Sequence, residues 1–197
     1  MTNYNYILNS LHDALLLQTA IINDPALIKS IEDVATICVA ALRAEKRIFF
    51  AGNGGSAADA QHLATELASR FMYDRAGIAA LALTTNTSLL TAISNDYGYE
   101  QIFERQLAAH ARVGDIFFGI TTSGNSPNIL RALNYCRALG VITVGLSGNR
   151  GEIQTQCDYL IAIPSNMTPR IQEAHITIGH IICGLIEAEL FPRGEKL

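Results

Sequence analysis

The segment Arg47-Ile48-Phe49-Phe50-Ala51-Gly52-Asn53-Gly54-Gly55-Ser56-Ala57-Ala58-Asp59 decides the fold class. Ile48 to Ala51 is apolar without alternation, as a strand covered on both faces must be, and it breaks into glycines that run straight into a helical pattern. Similar apolar runs follow at Ile78 to Leu83, Asp115 to Thr121, Val141 to Leu146 and Tyr159 to Ile163. Helical segments separate them at Ala57 to Arg70, Thr87 to Ile93, Glu100 to Ala111, Ser126 to Leu139 and Glu152 to Thr155, and a long helix closes the chain over Thr168 to Leu190. This alternation predicts an α/β fold with a doubly wound, five-stranded parallel sheet. Upstream, residues 4–22 repeat with helical period. Asp24 and Pro25 then form an N-cap and first helical position, and a second apolar helix runs to Arg43, giving an N-terminal helical hairpin. With no repeat, low-complexity segment or linker, residues 1–197 read as one domain, a helical extension over 1–45 and an α/β core over 46–197.

Composition narrows the function classes. AVILMFWYC residues make up 49% of the 197 and DEKR only 16%, against about 25% charged in ordinary domains, which excludes disorder. Fourteen basic residues against 18 acidic give a net charge of -4, without the basic surface that direct binding of nucleic acid requires. A small domain has little volume for so many apolar side chains, which points to an oligomer interface. Asn3, Asn5, Asn9, His12 and Asp13 interrupt the N-terminal apolar residues, so no signal peptide is read there, and no apolar run reaches the ~20 residues of a membrane span. Cys38, Cys136, Cys157 and Cys183 are far apart, without a C-x-x-C pair. Reduced, buried thiols in a cytoplasmic protein fit better than a disulfide or a thiolate metal site.

Two turns could hold a phosphate. Asn53, Gly54, Gly55 and Ser56 join the first strand to a helix, where free N–H groups and the helix dipole attract an anion; a tight turn with no ligand is the plainer alternative. The glycine spacing matches neither a dinucleotide fingerprint nor a Walker A loop, so no nucleotide cofactor is expected. The third strand ends in Thr121, Thr122 and Ser123, followed by Ser126 and Pro127 at the start of a helix. An ordinary cap explains Ser126 and Pro127 but not the other three hydroxyls. In open parallel sheets, ligands sit at the carboxyl ends of the strands where strand order reverses, so both turns can serve one site.

These residues resemble the SIS (sugar isomerase) domain family, in which a Ser/Thr-rich loop grips the phosphate of a phosphosugar. Five ordered segments are similar to the sedoheptulose 7-phosphate isomerases: Gly52 to Ser56, Gln61-His62 with Glu66-Leu67, Ser94-Asn95-Asp96, Thr122 to Ser126, and Arg170 to Glu173 with His175 and His180. The resemblance implies a cytoplasmic homotetramer with a flavodoxin-like sheet and sites at subunit interfaces. It also implies conversion of sedoheptulose 7-phosphate to glycero-manno-heptose 7-phosphate for the heptose of lipopolysaccharide and the cell envelope. A non-catalytic relative that binds the replication initiator DnaA shares the loops, but in it the positions of Glu66 and His180 are replaced; both are present here, which favours the enzyme.

By the same resemblance His62, Glu66, Gln172 and His180 hold zinc, and Asn95 and Asp96 bind sugar hydroxyls, where capping or an Asx turn is their plainer role. His62 and Glu66 are four apart on one helix face, a spacing also common in exposed pairs. Enediol isomerisation needs a group that takes a proton from carbon and a partner that moves protons on oxygen, and Glu66 and His180 are that acid–base pair. Gln172 joins the substrate-binding set. Arg70 reads equally as a helix-dipole partner or a phosphate contact, and His175 as a packing or interface residue.

Overall fold

Each strand presents two apolar faces, and the structure, a computed structural model that describes residues 2–193, covers both. Met1 and residues 194–197, which the single-domain reading includes, lie outside the described residues. Strands β1 (Ile48–Gly52), β2 (Ala80–Ala82), β3 (Ile116–Thr121), β4 (Ile142–Gly148) and β5 (Tyr159–Ile163) form one sheet in the order β2-β1-β3-β4-β5. Every pairing is parallel, with Ile48 of β1 opposite Ile116 of β3 and Gly52 opposite Ile120. This is the flavodoxin-like order.

Side-chain alternation sorts the helices into two layers. Ile48, Phe50, Ile116, Phe118 and Ile120 face one core, shared with α2 (Pro25–Arg43), α3 (Gly55–Ala68) and α7 (Thr168–Leu190). Phe49, Ala51 and Phe117 face the other, under α4 (Thr87–Tyr97), α5 (Ile102–His110) and α6 (Pro127–Leu139). Asp24 caps α2 by accepting from Ala26 and Leu27 N–H, as its place before Pro25 predicts. The helix α1 (Asn3–Ile22) buries only Leu17 and Ile21 and leaves Ile7, Leu11, Leu15 and Leu16 exposed. By contrast, α2 belongs to the core of the sheet as fully as α3 does.

Several boundaries differ from the sequence expectation. β2 is three residues long, because the Ile78 N–H is turned to the Leu67 carbonyl at the end of α3. α4 continues past Ile93 to Tyr97, so Asn95 and Asp96 lie in its last turn rather than beyond it. Residues 152–155 form a 3-10 turn and not an α-helix, and another 3-10 turn, Tyr99–Gln101, precedes α5. All four cysteines are free; Cys38, Cys136 and Cys183 are buried, Cys157 only partly. Burial pushes the Cys136 and Cys183 thiols up to about 12, which keeps them inert. Among the described residues no helix is long and apolar enough to cross a membrane.

His175 lies inside the core, on the α7 face turned to the sheet, and is 1% exposed. Neither ring nitrogen has a hydrogen-bond partner of good geometry. Burial lowers its pKa to about 4, and the nearby Ser147 backbone recovers only part of that shift. A folded-state pKa below the unfolded value means that the unfolded chain binds the extra proton, so stability is complete above pH ~6.5 and falls as the pH drops towards ~4. The unfolding free energy at fixed protein concentration should therefore be about 2 kcal/mol lower at pH 5 than at pH 7.5 on account of this residue alone. A His175→Gln variant should show a correspondingly flatter pH dependence, and an unchanged one would rule the effect out.

Candidate active site

The chain leaves β1 towards β2 on one side and returns to β3 on the other, so the turns after β1 and β3 face each other across the switch point. The first turn begins α3 at Gly54, whose φ of 56° and ψ of -121° suit only glycine, and no side chain caps the helix. The second begins α6 at Ser126, which does not cap it either, because its hydroxyl is 2.8 Å from Thr121 Oγ1. Helices α2 and α4, which start elsewhere, are capped by Asp24 and Asn86. The two helix N-termini at the switch point thus keep their positive ends available to an anion.

Thr121 Oγ1 also lies 3.3 Å from Ser123 Oγ, which accepts the Asn125 N–H at 3.2 Å, so three hydroxyls are gathered at the end of β3. Thr122 is half-buried beside them. Across the crevice Ser56 is buried. Asn53 and the buried Asn128 exchange a reciprocal pair of amide hydrogen bonds, each 2.9 Å, and Tyr99 Oη donates to Asn53 Oδ1 at 2.9 Å. These bonds lock the two turns together. Asn95 and Asp96 are exposed and bond to each other; Tyr99, in the turn that follows them, is the residue that reaches the loop.

The second part of the site lies between α3 and α7. A methyl group at Gly179 would fall 2.5 Å from Leu63 Cδ2, so the glycine lets the helices touch. Beside this contact His180 Nε2 is 2.9 Å from His62 Nε2, which is 3.1 Å from Glu66 Oε1. Ligand atoms of His62, Glu66 and His180 all lie within 4.8 Å of one another. Two imidazoles and a carboxylate suit zinc, and the edge of a tetrahedron with ~2.0 Å metal–ligand bonds is about 3.3 Å, close to the observed spacings. The donor set therefore fits a metal ion. Gln172 abuts Gly55, with its Nε2 2.3 Å from where a Cβ there would sit. That places it about two turns along α3 from His62, against the first loop. Arg70 is exposed just past the end of α3.

Residues 15–148 match the model of the SIS domain family. The chain is 53% identical over 196 residues to phosphoheptose isomerase 2 of Campylobacter jejuni, with 98% of each chain covered. It is 53% identical over 188 residues to the phosphoheptose isomerase of Aneurinibacillus thermoaerophilus, with 95% of each covered. The chain belongs to the SIS-domain phosphoheptose isomerase family. Such an enzyme is an aldose–ketose isomerase acting on a phosphosugar, the reading that Glu66 and His180 favoured over initiator binding. The phosphoheptose isomerase of Francisella tularensis, 32% identical, superposes with a TM-score of 0.90 over 94% of this chain and 98% of its own. That of Neisseria gonorrhoeae, 35% identical, does so at 0.88 over 95% and 100%.

Asn128, Tyr99 and Phe71 escaped the sequence reading. Asn128 sits two residues after Ser126 in what reads as an ordinary helical turn, and its partner is 75 positions away. Replacing Asn128 with Leu leaves the Asn53 amide without its buried partner, a loss worth about 1–3 kcal/mol. Denaturant unfolding should show that loss, and phosphosugar binding by calorimetry should weaken together with it. Unaltered affinity would mean that the loops hold their shape without the amide pair.

Proposed function

We propose that this phosphoheptose isomerase converts D-sedoheptulose 7-phosphate to D-glycero-D-manno-heptose 7-phosphate for envelope heptose synthesis, working in the cytoplasm, where its free cysteines stay reduced. The observation that carries the reading is the cluster of His62 and Glu66 on α3, the helix that rises from the first turn, with His180 on α7. In this reading the phosphate is held by the hydroxyls of Thr121, Thr122, Ser123 and Ser126 and by the turn from Asn53 to Ser56. Asn95, Asp96 and Gln172 take sugar hydroxyls, and C1 and C2 lie against Glu66 and His180.

Removing a proton from C1 of the ketose gives an enediolate; returning it to C2 while a proton moves from O1 to O2 gives the aldose. Glu66 and His180 share these transfers. Glu66 directs Oε1 to His62, while its other oxygen takes no hydrogen bond among the described residues and is available for proton transfer. Zinc would be held by His62, Glu66 and His180 and would supply Lewis-acid polarisation of the C2 carbonyl, while Gln172, the fourth ligand that the family resemblance implies, lies against the first loop at Gly55 and would have to turn towards the cluster to join them. His62 orients the pair by touching both members.

Purified protein given sedoheptulose 7-phosphate should form the aldose; no turnover with or without added zinc would sink the assignment. Glu66→Gln should lower kcat by roughly 10²- to 10⁴-fold while substrate affinity changes far less. Equal losses in both would argue against a proton-transfer role.

A homotetramer is part of the same reading. Tyr4, Tyr6, Ile7, Leu11, Leu15 and Leu16 are exposed on α1, and Ile181 and Leu185 on α7, and apolar helical faces of this size are usually buried against other subunits. Light scattering at micromolar concentration should report four chains. A monomer would contradict it.

A further inference from the structure

Seven residues after His180 on α7, Glu187 is fully buried. Its carboxylate accepts from the Phe71 N–H at 2.9 Å, the Met72 N–H at 2.8 Å and Arg75 Nε at 3.0 Å. The Arg75 side chain is equally hidden, with 2% exposure. Its remaining nitrogens donate to the carbonyls of Glu66 at 2.8 Å, Leu67 at 2.7 Å, Ser69 at 2.9 Å and Ala76 at 3.0 Å. Glu66 and Leu67 belong to the last turn of α3, whose carbonyls the helix itself leaves free. One ion pair therefore grips α3 on the carbonyl of Glu66 and ties it to α7. The segment it clamps carries Phe71, whose ring stacks on the His180 imidazole with centroids 5.5 Å apart and planes at 28°.

We propose that Arg75 and Glu187 are positioning residues of the isomerase site, setting the separation of Glu66 and His180 through the Glu66 carbonyl and the Phe71 ring. This rests on the reading of Glu66 and His180 as the reacting pair. Neither positioning residue hydrogen-bonds a side chain of the cluster; Arg75 meets Glu66 only at its backbone carbonyl. Each acts through one intermediate contact, so its loss shifts geometry without deleting a reacting group.

Glu187→Gln keeps the shape but removes the charge and turns a donor towards N–H groups, and Phe71→Leu removes the ring while leaving the backbone clamp. Asp115→Asn is the control. It is also buried and accepts the Arg47 and Arg112 N–H groups at 2.9 and 2.8 Å, but at the amino-terminal edge of the sheet, away from the site. Each variant is measured for kcat, KM, melting temperature and affinity for cobalt(II), the spectroscopic probe for the cluster. Glu187→Gln and Phe71→Leu should lower kcat and cobalt affinity by roughly 10- to 100-fold with KM little changed. Asp115→Asn should lose melting temperature alone. If Glu187→Gln melts earlier but keeps wild-type kcat and cobalt affinity, the pair is a structural staple and the proposal is overturned. Glu66→Gln is measured alongside. Should it turn over at the wild-type rate, the reading of the reacting pair fails instead, and cobalt affinity alone then decides the latch: a loss in Glu187→Gln sustains it and no loss overturns it.

Discussion

The contact of α3 with α7 at Gly179 fixes the rest of the site. Interiors are packed too closely to absorb an added methyl group at 2.5 Å from a buried leucine without movement. Glycine in a helix interior is intrinsically unfavourable by about 0.5–1 kcal/mol relative to alanine, so its presence here reflects a need for close approach. Once the helices touch, the neighbouring position, His180, meets His62, and the same alignment lays Gln172 on Gly55 and Glu187 on the segment after α3. A change in helix separation would move all three contacts together.

The ion pair at the far end of this alignment is a poor source of net stability, because burying two charges costs about as much as their attraction returns, and hydrophobic replacements are often neutral or better. Hydrophobic groups could fill the same space, but they could not satisfy the Glu66 and Leu67 carbonyls and the Phe71 and Met72 N–H groups. Burial pushes the Glu187 carboxyl up, yet the Met72 and Phe71 N–H groups and Arg75 outweigh it and hold the group below the usual carboxylate range. The pair thus stays charged at neutral pH and keeps its directional bonds.

The sheet was legible in the sequence because strands covered on both faces are apolar throughout, and the hairpin because Asp24 and Pro25 mark its break. The short β2 was not, since its fate depends on a hydrogen bond from Ile78 to Leu67 and not on local propensity. The loops around Gly54 and Ser126 could be read because glycine and hydroxyl density are local signals. His62 and Glu66 could be paired by helical spacing, but their meeting with His180 spans 118 positions and entered only through resemblance to a family. Asn128, Tyr99, Arg75 and Glu187 gave no signal, because each has its deciding partner 46 to 116 positions away and nothing local marks it out before the chain folds.

The composition bears on how the enzyme holds its substrate. A chain with a net charge of -4 and few cations has little positive charge with which to draw in a phosphate, and in the proposed reading it uses neutral hydroxyls and uncapped helix ends. Such donors are short, so in that reading the phosphate sits at the switch point itself. Ten residues of α3 separate Ser56 from Glu66, about 15 Å of helical rise, and side chains lean towards the helix N-terminus, which brings the Glu66 carboxylate back towards the turn. An extended heptose with its phosphate on C7 spans about 10 Å from phosphorus to C1 at ordinary bond lengths. A pentose phosphate gripped by the same hydroxyls would stop some 2–3 Å short of the carboxylate by the same bond lengths. In that reading chain length would be read by the distance along α3 between the gripped end and the reacting end, and the hydroxyl contacts of Asn95, Asp96 and Gln172 would recognise the carbons between.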